Sequence, residues 1–226
     1  MEPVSDVRQS DIRLIEGQPV LLVIDIQQGS FDPAMPGIPG MPGYANRMQA
    51  AANLVKAARG LDIPIIFFQE AHRPNLVDFG RELDGQEGIH CLETDARTAI
   101  ATEVDMRPDD YFIRKRRYSC FFGTDLEILL KGLKANTLIL IGGLTDVCVH
   151  YTFVDGHQHD YYCRVVEDCV AGSSEMAHES ALRAMEYLQR RARCSASEVL
   201  AALTPKASMN TAENSAPTAS VQEVVS

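Results

Sequence analysis

The feature that most constrains this fold is a set of short, nearly unbroken apolar runs. Residues 20–26 (VLLVIDI), 63–69 (IPIIFFQ) and 137–141 (TLILI) are β-branched, aliphatic or aromatic at almost every position. A strand with one wet face alternates polar and apolar residues; strands without alternation are covered on both faces. Segments with helical spacing separate them: 45–59 with Gly60 as C-cap, 124–132 with Thr124 as N-cap, 146–159 and 175–190. Further strands are expected at 111–114, 162–166 and 192–194, and a last helical turn or two at 197–203. Alternating strands and helices imply right-handed βαβ crossovers. The expected class is α/β, a three-layer α/β/α arrangement around a mostly parallel six-stranded sheet.

The chain has 226 residues, enough for one domain with a sizeable core. That domain is expected at 19–203, after a polar arm at 1–18. The stretch 204–226 is rich in Ala, Ser, Thr and Asn without periodicity and reads as a disordered tail. Residues 29–42 hold four prolines and three glycines, which enforce a loop. Residues 72–98 are irregular and polar, an excursion of the kind that carries sites at strand ends.

Basic residues number 21 against 31 acidic ones, a net charge of −10. That balance disfavours a phosphate backbone, so no nucleic-acid partner is expected. No run approaches the ~20 apolar residues of a membrane span. The first residues resemble no secretory leader, and a cytoplasmic protein with reduced thiols is expected. The six cysteines (91, 120, 148, 163, 169 and 194) form no CxxC pair.

Three positions carry candidate chemistry. Asp25 is an acid near the end of an otherwise apolar strand, costly to bury unless paired, and facing the crevice where open α/β sheets bind ligands. A strand-end cap is the alternative reading. Cys148 follows Gly142-Gly143-Leu144-Thr145-Asp146. With Thr145 capping the helix, the thiol falls in its first turn, where free N–H groups favour a thiolate and can hold an oxyanion. The other five cysteines read as small buried hydrophobes. Lys115 directly follows an apolar strand and can stabilise both the carboxylate and the thiolate. Arg114, Arg116 and Arg117 adjoin it, and periodicity does not choose among the four charges.

The segments LLVIDIQQGSF, FIRKRRYSCFFGTDLEILLKGLKANTLILIGGLTDVCVHYT and YYCRVVEDCVAGSSEMAHESAL resemble the isochorismatase-like cysteine hydrolase superfamily. The carrier is G-x-x-T-D-x-C-V, with a lysine 33 positions before the cysteine. The resemblance implies a Rossmann-like six-stranded fold and a catalytic Asp-Lys-Cys triad on Asp25, Lys115 and Cys148. It also implies a non-proline cis peptide before Thr145, and an oxyanion held by the backbone N–H groups of Thr145 and Cys148. The implied activity is that of an amidohydrolase, releasing ammonia from a linear amide through a thioester. Homo-dimers or tetramers are implied as well.

The stretch Gln69-Glu70-Ala71-His72-Arg73-Pro74-Asn75-Leu76 resembles the E-x-H-R-P-[DN]-L of biuret hydrolase-like and ureide-cleaving members, which need no metal. It points to a small carbamoyl or ureide-type amide, with no cofactor. Phe31, Arg73, Tyr118 and Leu144 are the expected substrate contacts. Tyr118 stands where biuret hydrolases carry a second lysine. The alternative is a nicotinamidase-like amidase assisted by zinc, for which Glu70, His72 and His90 are the candidate ligands. A non-enzymatic binding protein of the same fold is the remaining option. His72 otherwise reads as a hydrogen-bonded loop residue and His90 as an exposed one. His150, His157, His159 and His178 read as surface or interface residues.

Overall fold

The computed structural model of the chain describes residues 12–32 and 38–204. The expected tail from residue 205 onward and the first eleven residues of the expected arm lie outside the described residues. Six strands form one sheet: β1 (Gln18–Ile24), β2 (Ile65–Glu70), β3 (Tyr111–Lys115), β4 (Ala135–Gly143), β5 (Tyr162–Ala171) and β6 (Arg193–Cys194). Their spatial order is β3-β2-β1-β4-β5-β6 and every pairing is parallel. Among the described residues five α-helices cover it: α1 (Tyr44–Arg59), α2 (Leu126–Gly132), α3 (His150–Gln158), α4 (Glu175–Leu188) and α5 (Ala196–Leu203).

The unbroken apolar runs now have a physical reason. In β1, Leu21 and Val23 pack into one layer with Met48, Leu54 and Val55 of α1 and Val199 of α5. Val20, Leu22 and Ile24 pack into the other with Leu126 and Leu130 of α2, Phe153 of α3 and Leu182 of α4. Alternate side chains serve opposite layers, so no position on the strand is free to be polar. Burying each such side chain contributes roughly 1.5–3 kcal/mol.

Strand order reverses direction at β1. The chain steps outward to β2 and β3, then returns to place β4 on the other side. The carboxyl ends of β1 and β4 therefore open onto the crevice that forms at such a switch point. β1 stops at Ile24, two residues before the expected end. Asp25 has left the ladder with φ of 52°, its N–H donating to the Phe68 carbonyl. Gly142 (φ 117°) passes so close to β1 that a Cβ there would lie 1.9 Å from the Ile24 carbonyl oxygen. A Cβ on Gly143 would meet the Tyr44 hydroxyl at 2.0 Å. Gly142, which meets backbone, is required for β1 and β4 to converge.

Some boundaries differ from expectation. β5 continues past residue 166, because a register shift lets Val170 and Ala171 pair with Gly142 and Gly143. The N-cap position of α2 is Asp125, without a side-chain cap bond; the Thr124 hydroxyl accepts the Leu126 N–H and donates to the Cys120 carbonyl. A π-helical turn, Thr145–Val149, precedes α3, and its N-cap is Leu144. Thr145 is not the cap: it is fully buried, with its hydroxyl 2.8 Å from Nδ1 of His178. That contact draws His178 out of solvent, contrary to its surface reading. Among the described residues no helix is long and apolar enough to cross a membrane.

Candidate active site

Three strand ends deliver the site. Asp25 follows β1, Glu70 ends β2, and Lys115 ends β3 directly beside Glu70 in register. The π turn after β4 brings Cys148 over them. Lys115 is 1% exposed, and its Nζ lies 2.8 Å from Asp25 Oδ2 and 2.8 Å from Glu70 Oε2. The same ammonium donates to the Cys148 sulfur at 3.3 Å and to the Arg117 carbonyl at 3.0 Å. Asp25 Oδ1 accepts the Glu70 N–H at 2.8 Å, which fixes the carboxylate on its strand end. The structure thus brings together the three residues singled out in the sequence, and among the four consecutive cations it places Lys115 there. Arg114 and Arg116 turn outward to Glu93.

Glu70 is the member the triad pattern missed. It is 5% exposed, and its Oε2 accepts from both Lys115 and the Cys148 thiol, the latter at 3.3 Å. The signal was present: like Asp25, it is an acid at the end of an apolar strand. Gln27 was also missed. Its amide nitrogen donates to the Glu70 and Thr98 carbonyls, and its oxygen accepts the Glu70 N–H, tying the loop after β1 to the 90s segment.

Burial sets the electrostatics. It raises the Asp25 carboxyl; the Lys115 charge opposes this, and the value settles at about 6. Burial also pushes Glu70 upward, but Lys115 and hydrogen bonds from His72 and His90 win and hold it well below the usual carboxylate range. Lys115 stays an ammonium, since the charges of Asp25 and Glu70 outweigh its desolvation. Burial, together with the Glu70 and Asp25 carboxylates, drives the Cys148 thiol well above the ordinary range despite Lys115. This corrects the expectation of a thiolate favoured by the helix start. Cys148 rests as a thiol hydrogen-bonded to Glu70.

Asp25, Glu70 and Cys148 floor a cavity of about 280 Å³. Tyr118 and Leu144 line it, and so do Arg97, Thr98 and Ile89. Thr145 does not; Gly143, Leu144 and Val147 present the turn to the cavity instead. The cis peptide lies between Gly143 and Leu144, one residue earlier than the resemblance implied. Phe31 lines a neighbouring groove with Ile38 and Met41 rather than this cavity. Arg73 is also displaced: its guanidinium is half exposed and pairs with Asp78 at 3.1 Å, away from the cavity.

Beside the triad lies a second buried cluster. Glu70 Oε1 is 3.2 Å from His72 Nε2 and 3.1 Å from His90 Nε2. Glu82 Oε2 is 3.2 Å from His72 Nε2 and 4.0 Å from His90 Nε2. Phe79 stacks on the His72 ring at 3.9 Å. Burial depresses the charged form of both imidazoles, yet the adjoining carboxylates more than compensate and lift His72 to about 9. His90 is therefore buried rather than exposed, because its ring closes this cluster. Both Glu82 oxygens are buried without a hydrogen-bond donor, an arrangement that fits a cation among the four side chains.

Comparison with known proteins agrees with this architecture. A family model described as the isochorismatase domain matches residues 19–198. Ureidoacrylate amidohydrolase of Pseudomonas syringae pv. syringae is 28% identical over 197 residues, covering 77% of this chain and 80% of the relative. Maleamate amidohydrolase of Pseudomonas putida is 28% identical over 169 residues, covering 73% and 78%. The crystal structure of an isochorismatase-like hydrolase from Alkaliphilus metalliredigens superposes with a TM-score of 0.72 at 26% identity, covering 83% of this chain and all of that one. With the matched model spanning all six strands and the buried lysine-carboxylate-thiol site, the chain belongs to the isochorismatase family.

Proposed function

We propose that this protein is a cysteine-dependent amidohydrolase that cleaves the C–N bond of a small carbamoyl or ureide-type amide and releases ammonia. The observation that carries this reading is the single buried ammonium of Lys115 in contact with Asp25, Glu70 and the Cys148 sulfur. The amidohydrolase names of the relatives support the reaction class.

Asp25 is the base. The ligand atoms of Asp25, Glu70 and Cys148 lie within 4.8 Å of one another, so both carboxylates are near the thiol. A value near 6 suits Asp25 to accept a proton close to neutral pH, whereas Glu70 is too acidic. As Asp25 takes the proton, the thiolate forms beside the Lys115 ammonium and attacks the substrate carbonyl carbon. The backbone N–H groups of Leu144 and Cys148, at the cavity wall, take the oxyanion role the resemblance gave to Thr145 and Cys148; one such donor is typically worth ~3–4 kcal/mol. The C–N bond breaks as Asp25 returns its proton to the leaving nitrogen, and ammonia departs. Water, deprotonated by Asp25, then cleaves the thioester and restores the thiol.

The zinc-assisted alternative keeps one observation in its favour, the donor cluster beside the triad. Glu70, His72, Glu82 and His90 would hold the ion, which would supply positive charge against the Glu70 carboxylate. Ammonia release from biuret, triuret, ureidoacrylate, N-carbamoyl amino acids, maleamate and nicotinamide, with and without chelator, tests both readings. Turnover of a ureide that is lost in Cys148→Ala supports the first. A preference for nicotinamide that chelation abolishes favours the second.

A further inference from the structure

The cavity wall is uneven in charge. Asp25, Glu70, Glu87 and Asp95 border it, and Arg97 is its one arginine or lysine among the described residues. The Lys115 ammonium lies behind the floor, shared by Asp25 and Glu70, and the His90 ring faces Glu70. Arg97 is therefore the cation placed to meet an anionic group on a substrate.

Asp95 has already taken that cation. Arg97 Nη2 donates to Asp95 Oδ2 at 2.6 Å and Nε donates to Oδ1 at 3.0 Å, a two-pronged pair. The remaining nitrogen, Nη1, lies 3.9 Å from Asp32 Oδ2. Asp95 is fixed in place: it caps the 3-10 turn Ala96–Thr98 by accepting the Arg97 backbone N–H at 2.9 Å. The Thr98 carbonyl in turn accepts the side-chain amides of Gln27 and Gln69, both buried. The Arg97 and Asp95 side chains are 40% and 35% exposed, and an exposed pair is weak, so a substrate carboxylate would displace Asp95 readily. It would gain little by doing so. One carboxylate replaces another on the same guanidinium, and Asp95 is left unpaired beside it. The wall also carries the aliphatic side chains of Ile38, Ile89, Leu92, Leu144 and Val147. At about 280 Å³ the cavity is near the low end of ligand pockets, ~300–1,000 Å³, with room for a carboxamide and a short aliphatic group.

We propose that Asp95 holds Arg97 back from the substrate, so that the cavity selects an uncharged amide or ureide with a short aliphatic group over one that carries a carboxylate. An acid entering the cavity stands beside Asp95 and Glu87 with no uncommitted cation among the described lining residues. Like charges brought together on binding cost heavily, and a cost set against the wrong ligand is a source of specificity. The aliphatic group gains by leaving water for the apolar side chains. Asp95 acts through Arg97 and is a positioning residue. The inference rests on the amidohydrolase reading for the reaction, while the binding preference follows from the wall itself.

The test uses the full chain and two isosteric pairs, succinamate with 4-methylpentanamide and N-carbamoyl-β-alanine with isopentylurea. In each pair an isopropyl group replaces the carboxylate. Ammonia release is expected to give the uncharged member a kcat/KM at least about tenfold higher. Asp95→Asn, folded by circular dichroism, keeps an acceptor for the Arg97 backbone N–H and frees the guanidinium. It is expected to narrow that ratio at least about fivefold, through a lower KM for the acids. Asp95→Glu is expected to keep the wild-type ratio, and adding Arg97→Gln to Asp95→Asn to widen it again. A merely structural role for Asp95 would move both members of a pair alike. Binding is read without turnover, from the protection each amide gives Cys148 against iodoacetamide. The same order of protection with no ammonia released would sink the amidohydrolase reading and leave the selection standing. A wild-type chain that favours the acids or treats each pair alike overturns the proposal. So does an unchanged ratio in Asp95→Asn, or neither protection nor turnover with any of the four amides.

Discussion

Glu70 Oε2 lies 2.8 Å from the Lys115 ammonium, with both side chains almost wholly buried. Asp25 is equally close on its other side, so one cation is shared by two carboxylates in a buried site. Lys115→Met leaves those carboxylates facing each other. Breaking a buried pair in this way typically costs ~3–5 kcal/mol. Chemical denaturation should show a loss of that order, and ammonia release should fall by at least ~10²-fold.

The acid limb of activity reports the base. Burial raises Asp25 to about 6 from an ordinary 3.8, and the mechanism needs it ionised. kcat/KM should therefore decline as pH falls through about 6. A limb centred near 3.8 would remove Asp25 from that role. The stability linkage has the opposite sense. A carboxyl with a raised folded value binds its proton more tightly in the native state, so its contribution is lost as pH rises from 3.8 through 6.

Gly142 sets how closely β1 and β4 approach. In Gly142→Ala the new methyl meets backbone at 1.9 Å, at a φ of 117° that L side chains avoid. Nothing flexible can yield there, and a loss of roughly 3 kcal/mol or more is expected. Gly132, at the end of α2, has nothing within 4 Å of its added Cβ. Gly132→Ala should be neutral or raise the melting temperature slightly, as removing a helical glycine is worth roughly 0.5–1 kcal/mol.

Arg73 provides a contrast with the cavity residues. Its guanidinium pairs with Asp78 at the surface, and exposed pairs contribute ~0–1 kcal/mol. Arg73→Ala should leave KM within about twofold and stability nearly unchanged, whereas Tyr118→Ala, at the cavity wall, should raise KM. Steady-state kinetics of the two variants separates these outcomes.

The sheet was legible because β1, β2 and β4 are buried on both faces, and that condition leaves unbroken apolar runs. Asp25 and Lys115 stood out against those runs, and the glycines before Cys148 marked the turn that carries it. The end of β5 was not legible. Glu167 and Asp168 look like a stop, yet they sit at a register shift beyond which Cys169–Ala171 resume the strand beside Gly142 and Gly143. Glu82 was hidden for a related reason. It lies in a polar stretch with no periodicity, and only the packing of Phe79 on His72 reveals it as buried. Local reading made Thr145 a helix cap, and the resemblance put the cis bond one residue too late. The Thr145 hydroxyl meets His178, 33 positions away, a contact beyond any local reading. Arg73 was drawn to the site by a motif, but Asp78, five residues on, holds it at the surface.

The most direct test of thiol catalysis is mass spectrometry of protein quenched in acid during turnover of an accepted amide. The expected result is a covalent adduct equal in mass to the substrate less ammonia, mapped to the peptide containing Cys148. It should be absent in Cys148→Ala, which releases no ammonia. An unmodified Cys148 throughout turnover, together with a Cys148→Ala protein that releases ammonia at the native rate, would contradict a sulfur nucleophile.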